Sequence, residues 1–414
     1  MELTLSPRPI GGTVASIASK SQAHRLLICA ALAWQSTKII CTETSADIDA
    51  TIRCLAALGA DFSRLNGTIT VYPMELPRGD RELDCGESGS TLRFLLPVVG
   101  ALGVGATFRL HGRLAERPLS PLWEEMERHG CRLSRPTADT LRCEGRLSGG
   151  IYQIAGDVSS QFISGLLFAL PLTGEDSDIM LTSKAESAGY IELTIHALRQ
   201  FGIDAERTPS GWHIPSGSFY ASCGKAEVEG DWSNAAFWLC AGAISRPVTV
   251  TGLNPASLQS DREVLEILRR FGAEVSSDEF GVHVAPSALH AIEIDARNIP
   301  DLVPPLAAVA ACAKGTTTIF GAERLRIKES DRLQSVANAL RAVGGQAEIT
   351  SDGLKITGSA LRGGTIDSSN DHRIAMLAGI LSSVCSQPIT LHGAEAVQKS
   401  YPNFWEELKR HSAT

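Results

Sequence analysis

Apolar residues run almost unbroken through Leu26–Ala33, Leu92–Leu102, Phe162–Leu172, Ala235–Ile244, Leu302–Ala313 and Ile374–Val384. A helix that is apolar on every side has no face for water and must be buried. The pattern therefore predicts six core helices. Each opens on a residue able to cap a helix, namely Ser19, Ser88, Ser159, Asp231, Asp301 and Asp371. These mouths follow one another at intervals of 69, 71, 72, 70 and 70 residues.

A second period runs in step with the first. Most core helices are followed by a short β-type run, such as Phe108–Leu110, Ile179–Leu181, Val248–Val250, Thr318–Phe320 and Ile389–Leu391. A polar loop and an amphipathic helix come next, for example Val264–Phe271. These helices close on Leu58-Gly59, His129-Gly130, Phe201-Gly202, Phe271-Gly272 and Val343-Gly344, with glycine intervals of 71, 72, 70 and 72 residues. Gly just past a helix end is a C-cap signal. Alternating residues after it, such as Ala273-Glu274-Val275 and Gly281–Val284, predict hairpins.

The chain thus reads as six copies of roughly 70 residues, each with two helices and several strands. One such copy is too small for a good core of its own. Three copies per domain, with sheets outside and apolar helices inside, would cover all six. The expected fold is a two-domain inside-out α/β barrel. Gly11-Gly12-Thr13 and Glu229-Gly230 are the candidate hinges. They place residues 1–13 and 229–414 in one domain, copies four to six plus an N-terminal strand. Residues 14–228 form the other, with the functional site expected in the cleft between them.

Composition narrows the partners. A net charge of −8 argues against nucleic acid or an anionic membrane surface. Met1-Glu2-Leu3-Thr4-Leu5 is no signal peptide, because it lacks a basic region followed by an apolar run. No uninterrupted apolar run is long enough to span a membrane. The 10 cysteines are scattered singly, with no C-x-x-C, which suits free thiols in a reducing cytosol. The expected location is cytoplasmic and the expected state a monomer.

The charged residues keep the same period. At the first mouth, Ser19-Lys20-Ser21-Gln22-Ala23-His24-Arg25 adds two full cations to a helix N-terminus, which already favours anions. The loop before each amphipathic helix carries Arg117, Ser187, Lys328 and Lys399, at intervals of 70, 141 and 71 residues. If the mouths of both domains share a cleft, Lys20, Arg25, Arg117, Lys328, Arg332, Arg373 and Lys399 converge there. An acidic protein that gathers seven cations is arranged to bind a strongly anionic small ligand.

Ser19-Lys20-Ser21-x-x-x-Arg25, Gly86–Arg93, Glu116-Arg117-Pro118, Ser159-Ser160-Gln161, Arg326–Arg332 and Asn370–Arg373 resemble the 5-enolpyruvylshikimate-3-phosphate synthase family, in order over nearly the whole chain. The resemblance implies transfer of the enolpyruvyl group of phosphoenolpyruvate to the 5-hydroxyl of shikimate 3-phosphate, with release of phosphate and with no cofactor or metal. It implies proton transfer by Lys20, Asp301 and Glu329. It places Lys20, Ser21, Arg25, Ser159, Ser160, Gln161, Ser187, Asp301 and Lys328 on shikimate 3-phosphate. It places Lys20, Gly89, Arg117, Gln161, Arg332, Arg373 and Lys399 on phosphoenolpyruvate, and it makes the donor site a target of glyphosate. The opposite charges of the proton-transfer group are expected to move its pKa values towards neutrality. Asp301, after Pro300, also reads as a helix cap, as do Asp231 and Asp371. Gly89 reads as a close approach of ligand to backbone, or as a required backbone angle.

Four positions depart from the family pattern: Glu87 stands for the usual Asn, Phe94 for a frequent Pro, Arg324 for a frequent Asn and Ala23 for a common Ser. Glu87 is expected to point away from the anion or to pair with an Arg. Two other readings remain. One is the related UDP-N-acetylglucosamine enolpyruvyl transferase, which usually carries a reactive Cys in the loop matching Gly112–Pro118, where this chain has none. The other is a non-catalytic repeat protein that senses an anionic metabolite.

Overall fold

The computed structural model describes residues 1–75, 77 and 79–412. The chain divides into two compact units, Met1–Ser19 with Glu229–Thr414, and Lys20–Val228. Among the described residues the helices are α1 (Lys20–Leu32), α2 (Ala46–Ala57), α3 (Gly89–Leu102), α4 (Leu122–Arg128), α5 (Ser160–Ala169), α6 (Ala188–Gln200), α7 (Trp232–Ile244), α8 (Val264–Phe271), α9 (Val303–Cys312), α10 (Arg332–Ala342), α11 (His372–Leu381) and α12 (Phe404–His411). The odd-numbered helices are the apolar set. Every residue of α9 from Val303 to Ala311 is buried, and α7 and α11 are buried as fully. Pro304 and Pro305 are tolerated there because the first turn of a helix has no partner for its N–H groups.

Among the described residues each unit holds three sheets. In Lys20–Val228 the strands Arg81–Asp84, Ala106–Arg109, Thr140–Gly145 and Cys131–Ser134 lie in that order. The first pair is parallel and the rest antiparallel. Gly150–Ile154, Ser177–Leu181, Gly211–Ile214 and Glu206–Thr208 repeat the arrangement. A parallel pair needs a long crossover, and the crossovers are α3 and α5. The apolar helices α3, α5, α9 and α11 are therefore the connections of βαβ units. The strands alternate: in Thr68–Tyr72, Ile69 and Val71 are buried while their neighbours are not. One face of each sheet meets the helices and the other meets water.

The expected boundary after residue 13 moves to Ser19. The strand Gly12–Ala15 precedes α1 in sequence, yet it pairs in parallel with Val248–Thr251, the strand that follows α7. In exchange Lys225–Glu227, which precedes α7, pairs in parallel with Thr37–Ile40, which follows α1. Each crossover at the junction takes its leading strand from the other end of the chain segment. Gly12 and Thr13 are thus ladder, with Gly12 N–H donating to Pro247 C=O, and residues 14–19 stay with the first unit. Glu2–Leu5 joins the same unit antiparallel to Ile389–His392.

The five glycines that end amphipathic helices, Gly59, Gly130, Gly202, Gly272 and Gly344, have φ of 112°, 102°, 80°, 103° and 86°. All lie in the region that side chains avoid.

Candidate functional site

The cap residues do what their chemistry allows. Ser88 accepts from Thr91 N–H, Ser159 from Gln161 N–H, Asp231 from Asn234 N–H and Asp371 from Arg373 N–H. Asp301 does not cap: it lies in the 3-10 turn Pro300–Leu302, and α9 begins after it. Its carboxylate goes to two guanidinium groups instead. Arg332 Nη1 donates to Asp301 Oδ1 at 2.7 Å, and Arg373 Nη2 donates to Asp301 Oδ2 at 3.0 Å.

Arg332 is the hub of this cluster, and its side chain is only 2% exposed. Besides Asp301 it donates through Nε to Asp371 Oδ2 at 2.8 Å and through Nη2 to Glu329 Oε2 at 2.5 Å. Asp371 thus serves both as a helix cap and as a guanidinium partner, and it also accepts from Ser330 Oγ at 3.1 Å. Arg373 donates to Ser233 Oγ at 2.7 Å. Lys399 Nζ donates to the carbonyl of Asn370 at 2.5 Å, beside the same mouth.

Burial by itself would push the Asp301 carboxyl up. Arg373, Arg332 and Lys328 outweigh it and hold the group below the usual carboxylate range. The expected drift towards neutrality is therefore reversed for Asp301, because more than one cation faces it. Lys328 does move to neutrality. Burial, reinforced by Arg332 and Arg324 against the pull of Asp301, lowers its ammonium to about 7.

The Lys20–Val228 unit carries its groups in three places. Lys20 opens α1 and pairs with Asp47 Oδ2 at 2.8 Å, both side chains being mostly buried. The expected proton-transfer trio is accordingly one ion pair here and, in the other unit, the Asp301–Arg332–Glu329 cluster. Arg25 is buried. It donates from Nε to Thr194 Oγ1, from Nη1 to the Ser21 carbonyl and from Nη2 to the Tyr190 carbonyl, and its Cζ lies 5.0 Å from the centre of the Phe94 ring. Burial lowers its pKa to about 10. Phe94 stands under this guanidinium as an aromatic platform.

Gln161 bridges two helices. Its Oε1 accepts from Arg93 Nη1 at 2.8 Å, and its Nε2 donates to Ser90 Oγ at 2.9 Å. Ser160 is buried at the start of α5, and Ser187 is buried ahead of α6 with φ of 54°, uncommon for a residue with a side chain. Gly89 opens α3 outside the positive-φ region, so the backbone-angle reading falls. A Cβ there would lie 2.7 Å from Arg117 Nη1 and 3.1 Å from its Cζ. The group pressed against Gly89 is the Arg117 guanidinium.

Sequence reading passed over the roles of Asp47, Arg93 and Ser233. Arg93 stood in a recognised motif without a task. Asp47 lies in the first turn of α2, where the helix dipole favours an acid.

Residues 5–408 match the family described as EPSP synthase (3-phosphoshikimate 1-carboxyvinyltransferase). The chain is 39% identical over 410 residues to the 3-phosphoshikimate 1-carboxyvinyltransferase of Clostridium kluyveri, covering 98% of this chain and 96% of that one. It is 40% identical over 413 residues to the protein of the same name from Clostridium acetobutylicum, with the same coverage. Its fold matches a solved EPSP synthase structure from Acinetobacter baumannii at a TM-score of 0.82, with 26% identity, over 100% of this chain and 98% of that one.

Proposed function

The chain belongs to the EPSP synthase (3-phosphoshikimate 1-carboxyvinyltransferase) family, and from that premise we infer that it transfers the enolpyruvyl group of phosphoenolpyruvate to the 5-hydroxyl of shikimate 3-phosphate. The reaction serves aromatic amino acid biosynthesis. The hydroxyl oxygen attacks C2 of phosphoenolpyruvate and gives its proton to a base, while an acid protonates the C3 methylene. The tetrahedral intermediate then loses phosphate and a C3 proton, which restores the double bond. The substrates together bring a charge of about −5 to −6, counting −1.5 to −2 per phosphate.

The observation that best supports this reading is the Arg332–Asp301–Arg373 cluster. It offers two buried guanidinium groups whose positions are set before any ligand arrives. In this reading Lys20, Gly89, Arg117, Gln161, Arg332, Arg373 and Lys399 hold phosphoenolpyruvate. Ser21, Arg25, Ser159, Ser160, Gln161, Ser187 and Lys328 hold shikimate 3-phosphate together with Lys20 and Asp301. Lys20, Asp301 and Glu329 carry the protons. The protein acts in the cytoplasm as a monomer without nucleic acid. No helix among the described residues is long and apolar enough to cross a membrane.

Phosphate release on mixing with phosphoenolpyruvate and shikimate 3-phosphate tests the reaction. Release only with UDP-N-acetylglucosamine as acceptor would favour the related transferase, and no release with either would favour a sensor.

Two further outcomes follow from the geometry. Lys328 is about half protonated at pH 7, its pKa lying there instead of near 10.5. A bound phosphate stabilises the charged form, so shikimate 3-phosphate should take up roughly half a proton at pH 7 and less below pH 6. Calorimetry in buffers of different ionisation enthalpy reads this uptake, and Lys328→Arg should remove it. Gly89→Ala should leave the melting temperature nearly unchanged, because the colliding atoms are the mobile end of Arg117. Glyphosate, which should compete with phosphoenolpyruvate, is the longer ligand. Its inhibition constant should therefore rise by a larger factor than KM for phosphoenolpyruvate. A lowered melting temperature with unchanged inhibition would contradict the Arg117 contact.

A further inference from the structure

The Glu87 carboxylate lies close against the backbone at Gly112. A Cβ on Gly112 would lie 2.6 Å from Glu87 Cδ, 2.7 Å from Oε2 and 3.0 Å from Oε1. The carboxylate therefore rests on the bare Cα of Gly112. That glycine has φ of 51° and opens the 3-10 turn Gly112–Glu116, which ends at Arg117.

Other contacts join the same two segments. His111 N–H donates to the Gly86 carbonyl at 2.9 Å, next to Glu87. At the far end Arg93 Nη2 donates to the Pro118 carbonyl at 3.2 Å, and the Arg117 guanidinium lies against Gly89. Residues 86–93 thus grip residues 111–118 at entry and at exit. At the two ends of the turn Leu114 N–H donates to the His111 carbonyl at 3.1 Å and Arg117 N–H to the Leu114 carbonyl at 3.3 Å.

We propose that Glu87 is a positioning residue: it braces the Gly112 end of the turn so that Arg117 is preset to receive the anionic donor substrate. The contact with Gly112 is local, so shortening the side chain removes it while a Gln of the same length keeps it. The role of Arg117 rests on the function proposed above, whereas the brace itself does not.

The experiment compares Glu87→Ala with Glu87→Gln. Amide hydrogen exchange over residues 111–117, measured without ligand, should become roughly tenfold faster in Glu87→Ala and stay close to the parent in Glu87→Gln. KM for phosphoenolpyruvate should rise roughly tenfold in Glu87→Ala with kcat within about twofold, and Glu87→Gln should restore most of it. A carboxylate that merely repels the substrate predicts the opposite sign, since KM would then fall in both variants. That result, or unchanged exchange in Glu87→Ala, overturns the brace. Should Glu87→Ala fail to fold, Glu87→Asp, one methylene shorter, withdraws the carboxylate from Gly112 and should give the same faster exchange and raised KM. If the parent protein releases no phosphate, the functional reading fails while the exchange data still decide the brace.

Discussion

Asp301→Ala should destabilise the protein by about 3–5 kcal/mol, the usual cost of stranding buried charge, and lower turnover by roughly 1000-fold, within the range of general acid–base contributions. One carboxylate serves two buried guanidinium groups, at 2.7 Å and 3.0 Å, so its removal takes the ion-pair partner from Arg373 while Arg332 keeps Asp371 and Glu329. The loss should be partly recovered by added inorganic phosphate, which can supply the missing negative charge. Thermal unfolding with and without phosphate checks this, and an equal loss in both would mean that the guanidinium groups are closed to anions. The pH dependence has a definite sign. The pKa of Asp301 is depressed in the fold, so its contribution is complete above the unfolded value of about 4. It is lost only as pH falls through the lower, folded value. The part of the gap that comes from the titration of Asp301 itself should be flat from pH 8 to about 5 and be lost only in stronger acid.

Glu329→Gln should lower turnover by about 100-fold or more while substrate binding is largely kept, as expected when a proton-transfer group loses its acidity and keeps its shape. The structure refines why shape survives. Glu329 Oε2 accepts from Arg332 Nη2 at 2.5 Å, and a Gln carbonyl oxygen can accept the same hydrogen bond. A binding measurement with shikimate 3-phosphate separates the two effects. Near-normal turnover would leave Glu329 as a mere partner of Arg332, one of the three carboxylates around that side chain.

The repeat was legible because it is written in a local code. Apolar runs without a polar face can only be buried helices, and α7, α9 and α11 are buried all round. Gly after a helix reports a backbone angle that other residues resist, and the five predicted positions adopt it. The domain boundary was less legible. Gly11-Gly12-Thr13 has the composition of a hinge, yet Gly12 and Thr13 are ladder residues paired with Val248 and Thr249. Nothing near residue 12 states which distant strand will supply its hydrogen bonds.

The candidate site divides along the same line. The helix mouths and the loop cations followed from spacing, since a side chain at a helix start is placed by the helix itself. Which cation meets which anion did not follow. Asp301 read as a proton-transfer residue or a cap, and it is the counter-ion of Arg332 and Arg373, residues 31 and 72 positions away. Gly89 read as a close approach of ligand or a required backbone angle, and its neighbour in the fold is the Arg117 guanidinium. By itself the sequence determined the six-fold period, the buried helices and the chemistry on offer at their mouths, because each depends on neighbours within a few turns. Only the tertiary structure decided the pairings and hence the direction of the pKa shifts. Coulomb energy depends on distance and burial, and both are set by residues far apart in the chain.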